Sequence, residues 1–186
     1  MSGQETGGTR ERILATARDL FAAHTYRAAT MREIAGRLGI TKPSLYYHFA
    51  SKADILESLI GTPVDELAAA VEAAAEETDR DEVRRKVLRG CIDVIVGHRE
   101  VMRLLFRDAS VYSEESTRIV ERLVGTVDRA IELLAGPEAD WRGRLRAAQA
   151  LAAATDPVAH FADVPEEELR EELYLGASAV LGIGRS

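Results

Sequence analysis

The sequence predicts an all-α fold, and three observations carry the prediction. Of the 186 residues, 29 are Ala and 21 are Arg, both strong helix formers. Only 5% are aromatic, and strand-like alternation of apolar and polar residues is absent throughout. Apolar positions recur instead at the 3.6-residue spacing of an amphipathic helix. A hydrophobic fraction of 46% and a charged fraction of 30% are those of a folded globular chain. The length suits one compact domain or two small ones that share a core.

Ile13, Leu14, Ala17, Leu20 and Phe21 form one apolar stripe, predicting a first helix from Thr9 or Arg10 to about His24–Thr25. Met31, Ile34, Ala35 and Leu38 predict a second. Thr30 and Glu33 bracket its start as a capping box, and Gly39 suits the left-handed residue that ends it. Thr41 is the expected N-cap of a short third helix, with Pro43 in the first turn, where a missing amide does no harm, and Leu45 and Phe49 as its anchors. Ser51-Lys52-Ala53-Asp54 opens a fourth helix through Ile55, Leu56 and Leu59. Beyond Gly61 and Pro63, long Ala-, Leu- and Val-rich stretches follow. Breaks are expected near Thr78–Asp79, Gly97–His98, Ser110–Ser113, Gly136–Pro137 and Ala162–Pro165, with a kink or stop at Asp156-Pro157. Pro63 is the expected joint, dividing the chain into a helical unit at 9–62 and a larger helical body at 63–186.

A single cysteine, Cys91, excludes an internal disulfide and any multi-cysteine metal site. With His98 seven residues on, it reads as a core cysteine and a helix-end histidine, so no metal and no cofactor is expected. No nucleophile–base–orienter set and no glycine-rich phosphate loop is present, which argues against an enzyme. The first eight residues have no apolar stretch for a signal peptide, and no run is long enough to span a membrane; a cytoplasmic location is expected. The net charge of −7 is unevenly spread. Residues 9–60 sum to +3 and residues 61–186 to −9, so a polyanion would meet the first third of the chain.

Helix, Gly-containing turn, helix over residues 30–49 is the layout of a helix-turn-helix, whose second helix enters the DNA major groove. With Leu45 and Phe49 inward, the third helix offers Thr41, Lys42, Ser44, Tyr46, Tyr47 and, at its edge, His48. Hydroxyls, a cation and phenols are donors to phosphates and base acceptors. Either tyrosine could equally be a packing aromatic, and Arg32 an ordinary solvated charge.

The stretch TRERILATARDLFAAHTYRAATMREIAGRLGITKPSLYYHFASKADILESLI resembles the DNA-binding domain of the tetracycline-repressor (TetR) family of bacterial regulators. Leu20-Phe21, the Thr30–Ala35 helix start, Leu38-Gly39-Ile40 and the Leu45–Lys52 segment carry the likeness, which covers about residues 9–60. His24-Thr25-Tyr26-Arg27 departs from it, standing where the family usually has a glycine-containing turn. The resemblance implies that Thr30 and Arg32 meet the operator backbone or a base, and that Thr41, Lys42, Pro43 and Ser44 form the base-reading turn. It implies that Tyr46, Tyr47 and His48 touch phosphates, thymine methyls or the edge of the site, and that Lys52 binds a phosphate. It further implies a repressor that binds double-stranded operator DNA as a homodimer and is released by a small-molecule effector.

The body offers weaker clues. Met102, Leu105, Phe106, Tyr112, Trp141 and Phe161 supply most of its large soft side chains, and could line an effector pocket or fill a core. The small residues of Ala147–Ala154 and the stripe within Leu169–Leu181 could form a dimer face, or only the core of one protomer.

Overall fold

The computed structural model describes residues 3–108, 111, 117–161 and 163–184. All regular structure among them is helical: α1 (Gly3–His24), α2 (Met31–Leu38), α3 (Lys42–His48), α4 (Lys52–Ala75), α5 (Arg80–Gly97), α6 (Arg99–Arg107), α7 (Thr117–Ala135), α8 (Trp141–Thr155), a 3-10 turn (Asp156–Ala159) and α9 (Glu166–Leu181). The expected breaks fall where turn chemistry put them. Ser110, Tyr112 and Ser113 of one break, and Ala162 of another, lie outside the described residues.

The N-terminal helices obey their caps. Thr30 Oγ1 accepts the Glu33 N–H (3.2 Å), and the Glu33 carboxylate accepts the Thr30 N–H (2.8 Å), closing the capping box. The Thr30 hydroxyl and backbone hold the Glu33 carboxyl below its usual range. Gly39 ends α2 at φ 65°, and the Ile40 N–H reaches back to the Ala35 carbonyl at 3.1 Å. A side chain at Gly39 would be strained.

Pro63 is not a joint. It lies inside α4, a helix of 24 residues that runs unbroken from the N-terminal unit into the body. Proline costs a helix interior about 3 kcal/mol. Ile60, Val64 and Leu67 around it are buried on one continuous stripe, and each fully buried side chain returns about 1.5–3 kcal/mol. Burial therefore outweighs the breaker, and α4 is common to both parts.

In the body, α8 packs most extensively on α9, and α5 lies against α4, α7 and α9. The small-residue stripe belongs to this core. Ala147, Ala150, Ala154, Leu169, Leu173 and Ala177 are all buried within one protomer, which leaves none of them free to form a face between two. Small side chains let α8 and α9 approach each other. Arg80 and Arg84 of α5 donate to the Ala135 and Leu134 carbonyls at the C-terminus of α7, satisfying groups the helix leaves unpaired. Gly136, at φ 84°, makes room for the Arg80 guanidinium, which a Cβ there would strike. No helix among the described residues is long and apolar enough to cross a membrane.

Thr25 is the one non-glycine residue at positive φ among those described (77°). It stands in the turn where the sequence departs from a glycine-containing pattern. A β-branched residue is poorly suited to this conformation, at a cost of about 1–2 kcal/mol. We expect Thr25→Gly to raise unfolding stability by about 1 kcal/mol, after the greater chain entropy of glycine is subtracted. Thermal or urea unfolding checks this, and a loss of stability would show that the threonine side chain does more for the turn than its strain costs.

Candidate nucleic-acid interface and body cavity

Leu45 and Phe49 are buried in the core, where α3 packs on α2 and Phe49 meets Arg10 of α1, as their i, i+4 spacing demands. The anchoring turns the rest of the short helix outward. Thr30, Arg32, Thr41, Lys42 and Pro43 are exposed, and Ser44 and His48 are half-buried. Tyr46 and Tyr47 are 50% and 80% exposed, which excludes core packing as their role within this chain. Thr41 accepts the Ser44 N–H at 3.3 Å, so its hydroxyl caps the helix while remaining at the surface. Tyr47 and His48 meet edge to face, with ring centroids 5.4 Å apart. Arg32 and Lys42 have no ion pair among the described residues. The result is one surface of cations, hydroxyls and phenols at the start of α2 and along α3.

Lys52, expected at a phosphate, rests against the α1–α2 loop. Its ammonium donates to the carbonyls of Tyr26 (2.7 Å), Ala29 (3.0 Å) and Arg27 (3.4 Å), and lies 4.4 Å from the centroid of the Tyr26 ring. These contacts make Lys52 a brace between α4 and the α1–α2 loop.

Two further residues escape the sequence pattern. Arg10 stacks its guanidinium 4.8 Å from the Phe49 ring centroid and donates to Ser58 Oγ at 2.9 Å, tying α1 to the end of α3 and to α4. Asp108, at the C-cap of α6, is 9% exposed and accepts the backbone N–H of Tyr26, 82 residues away. No local spacing announces a pairing of that length.

A cavity of about 340 Å³ lies in the body between α4, α5, α7 and α8, with Met102 of α6 on its wall. Of the soft side chains expected there, Met102 is present. Trp141 and Phe161 are not: they are 64% and 51% exposed and lie on the outer surface. Trp141 opens α8 from its first turn with its ring against Arg142, and Phe161 follows the 3-10 turn, so neither is on the inward stripe of a helix. Tyr112 and the side chains of Leu105 and Phe106 lie outside the described residues. The walls are instead aliphatic, and Ala148 and Ala152 of α8 leave the space open. Cys91 lines it too, and burial pushes its thiol up to about 12, so it is a neutral thiol at physiological pH. His98 is elsewhere, capping α5 with Nε2 at 2.6 Å from Glu66 Oε2.

A family model described as bacterial regulatory proteins, tetR family, matches residues 13–59. That stretch, and not the body, carries the likeness to the TetR family. Among curated relatives, it is 34% identical over 100 residues to the transcriptional activator FasR of Mycolicibacterium smegmatis, covering 53% of this chain and 46% of that one. It is 40% identical over 57 residues to the transcriptional repressor BepR of Brucella suis, covering 31% of this chain and 27% of that one. The matches thus span less than half the length of either relative. Among solved structures, it is similar to Mycobacterium smegmatis AmtR, with a TM-score of 0.79 at 23% identity over 95% of this chain and 87% of that one. It is also similar to the ketosteroid transcriptional regulator KstR2 of Mycobacterium tuberculosis, with a TM-score of 0.73 at 22% identity over 96% of each chain. These likenesses show the fold: a TetR-type helix-turn-helix followed by a helical body.

The Lys52 brace predicts a dissociation of two effects. Lys52→Met keeps the stem and removes the charge-assisted hydrogen bonds, so stability should fall by about 2 kcal/mol. If bracing is its whole role, the slope of log affinity against log salt for DNA should stay unchanged. A slope flattened by about one unit would return Lys52 to the phosphate-binding set.

Proposed function

We propose that the chain is a cytoplasmic, ligand-responsive transcriptional regulator that binds a pseudo-palindromic operator as a homodimer, represses from it, and leaves it when a small molecule fills the body cavity. The observation that carries this reading is that α6 meets both places. Met102 lines the cavity, and Asp108 at the other end of the helix holds the loop that leads into the helix-turn-helix. Repression is favoured by relatives named as repressors, BepR and KstR2; FasR, named an activator, marks the competing outcome.

Dimerisation follows from contact area. A recognition helix of seven residues offers little surface alone. Two copies can read half-sites about one helical turn, or about 34–36 Å, apart. With the buried stripe of α8 and α9 used inside the protomer, the outer face remains: Leu145 (50% exposed), Gly176, Ala179 and Val180 (37% exposed), with half-buried Leu175. The acidic body is repelled by DNA, so only the basic N-terminal unit approaches it.

Selection from a randomised duplex library tests the reading. The enriched sequences should be pseudo-palindromic, and Lys42→Ala or Ser44→Ala should change the preferred bases, at about 1–3 kcal/mol per good base contact. Leu145→Glu with Val180→Glu should give folded monomers by light scattering and far weaker binding to the selected site. A reporter downstream of that site should rise when the gene is deleted. An unchanged base ranking, a persistent dimer in the double variant, or a falling reporter would each overturn the corresponding part.

The α6 link has its own test. Asp108→Ala removes the acceptor of the Tyr26 N–H, whereas Asp108→Asn retains an oxygen for it. The alanine variant should lose most of the effect of a cavity ligand on operator affinity, and the asparagine variant should recover it. Equal ligand response in all three proteins would mean that α6 does not couple the sites through Asp108.

A further inference from the structure

The cavity holds information about what fills it. Its described lining is aliphatic apart from Cys91, Thr126, Thr155 and Asp156, and contains no Lys, Arg or His. An anionic head placed there would be desolvated without a cation to pair with, and would sit beside a carboxylate. Thr126 already donates its hydroxyl to the Arg122 carbonyl at 3.0 Å. The polar end of the cavity is therefore where α8 gives way to the 3-10 turn.

At that end, protons are fewer than acceptors. The Thr155 hydroxyl lies 2.9 Å from the Leu151 carbonyl and 3.2 Å from Asp156 Oδ1. One hydroxyl proton serves one of these at a time. When it goes to the nearer carbonyl, Thr155 Oγ1 and Asp156 Oδ1 are two acceptors side by side that want a donor. Thr155 is buried and Asp156 is exposed at the rim, and Asp156 has no ion pair among the described residues. Val124, half exposed, also lines the cavity and marks an opening to solvent on α7. A ligand can thus bury its body and leave its head at the mouth.

We infer that the effector is a predominantly apolar molecule bearing a single amine or other cationic head, with its body between α4, α5, α7 and α8 and its head donating to Thr155 Oγ1 and the Asp156 carboxylate. The inference rests on the proposed ligand response and names the class of ligand for that same cavity. Apolar contact supplies the affinity, and the acceptor pair selects the head. At about 340 Å³ the space is at the small end of ligand pockets, which run about 300–1,000 Å³, so a bicyclic or similarly compact body fits.

Three probes with one body and three heads test it: 1-naphthylmethylamine, 1-naphthalenemethanol and 1-naphthoic acid. Each is titrated by calorimetry into the whole protein without DNA, at neutral pH. The amine should bind at least about tenfold more tightly than the acid, with the alcohol between them. Asp156→Asn, a surface change, should remove most of the advantage of the amine over the alcohol. Ala152→Phe fills the cavity and should abolish binding of the amine. Failure of all three to bind, acid binding as tight as the amine, an amine preference that survives Asp156→Asn, or binding that survives Ala152→Phe would overturn the inference. The selected operator separates the two readings. If the amine binds as expected but leaves operator affinity unchanged, the ligand class stands and the proposed release from DNA fails.

Discussion

One residue, Tyr26, anchors the N-terminal unit to the rest of the molecule through both of its backbone polar groups. The Tyr26 N–H is held by Asp108 from the end of α6, and the Tyr26 carbonyl by Lys52 from the start of α4. The Lys52 ammonium also faces the ring of the same residue, which itself packs edge-on against Phe21 with centroids 5.2 Å apart. The α1–α2 loop is thereby fixed from two directions by charged groups, and charge-assisted hydrogen bonds are about twice as strong as neutral ones. Everything that presents α3 outward depends on this: the Thr25 turn directly before it, the capping box directly after it, and the stacking of α1 on Phe49 through Arg10. A loop carrying a positive-φ threonine stays in one conformation because its surroundings over-determine it.

The same arrangement explains what could be read from the sequence. The caps at Thr30, Thr41 and Ser51, the turn at Gly39 and the outward tyrosines of α3 were all legible, because each depends on residues within one or two helical turns. The interface proposed for DNA is therefore the best-specified part of the chain at sequence level. Pro63 misleads for a physical reason: the local cost of a proline is visible in sequence, whereas the larger gain from a buried stripe that continues past it depends on helices elsewhere. Lys52 has a role that sequence spacing does not show. A lysine at a helix start resembles a phosphate ligand, and its bonds to the carbonyls of a loop 23 to 26 residues earlier are invisible to local spacing.

The body shows the converse limit. Large side chains such as Trp141 and Phe161 suggested a pocket, but size does not decide which way a residue faces at the edge of a helix. The cavity is created by what is missing. Ala148 and Ala152 leave room that leucines would occupy, and aliphatic residues on α4, α5 and α7 form the walls. The small residues of α8 thus do two things within one protomer. Ala147, Ala150 and Ala154 are buried between helices, while Ala148 and Ala152, on a neighbouring face, line the cavity. Composition shows that a stretch is alanine-rich; only the helix phase separates these two uses.

The proposed coupling can be examined for magnitude. Met102 and Asp108 are six residues apart on and just beyond α6, about 9 Å along the axis. A ligand pressing on Met102 and a loop held by Asp108 therefore share one short helix, with no long chain of contacts to assume. What passes between them is limited by what differs between the two states. If filling the cavity shifts α6 enough to break the Asp108–Tyr26 bond, the difference includes one hydrogen bond to a charged group, about 1.5–3 kcal/mol. That falls within the usual range for allosteric coupling, about 1–3 kcal/mol, which corresponds to a change of about 5- to 150-fold in affinity. In a dimer both protomers contribute, so the effect on the paired heads is larger than the single bond supplies. One buried carboxylate is thus strong enough to carry the switch, yet weak enough that a ligand in a 340 Å³ apolar cavity can overcome it.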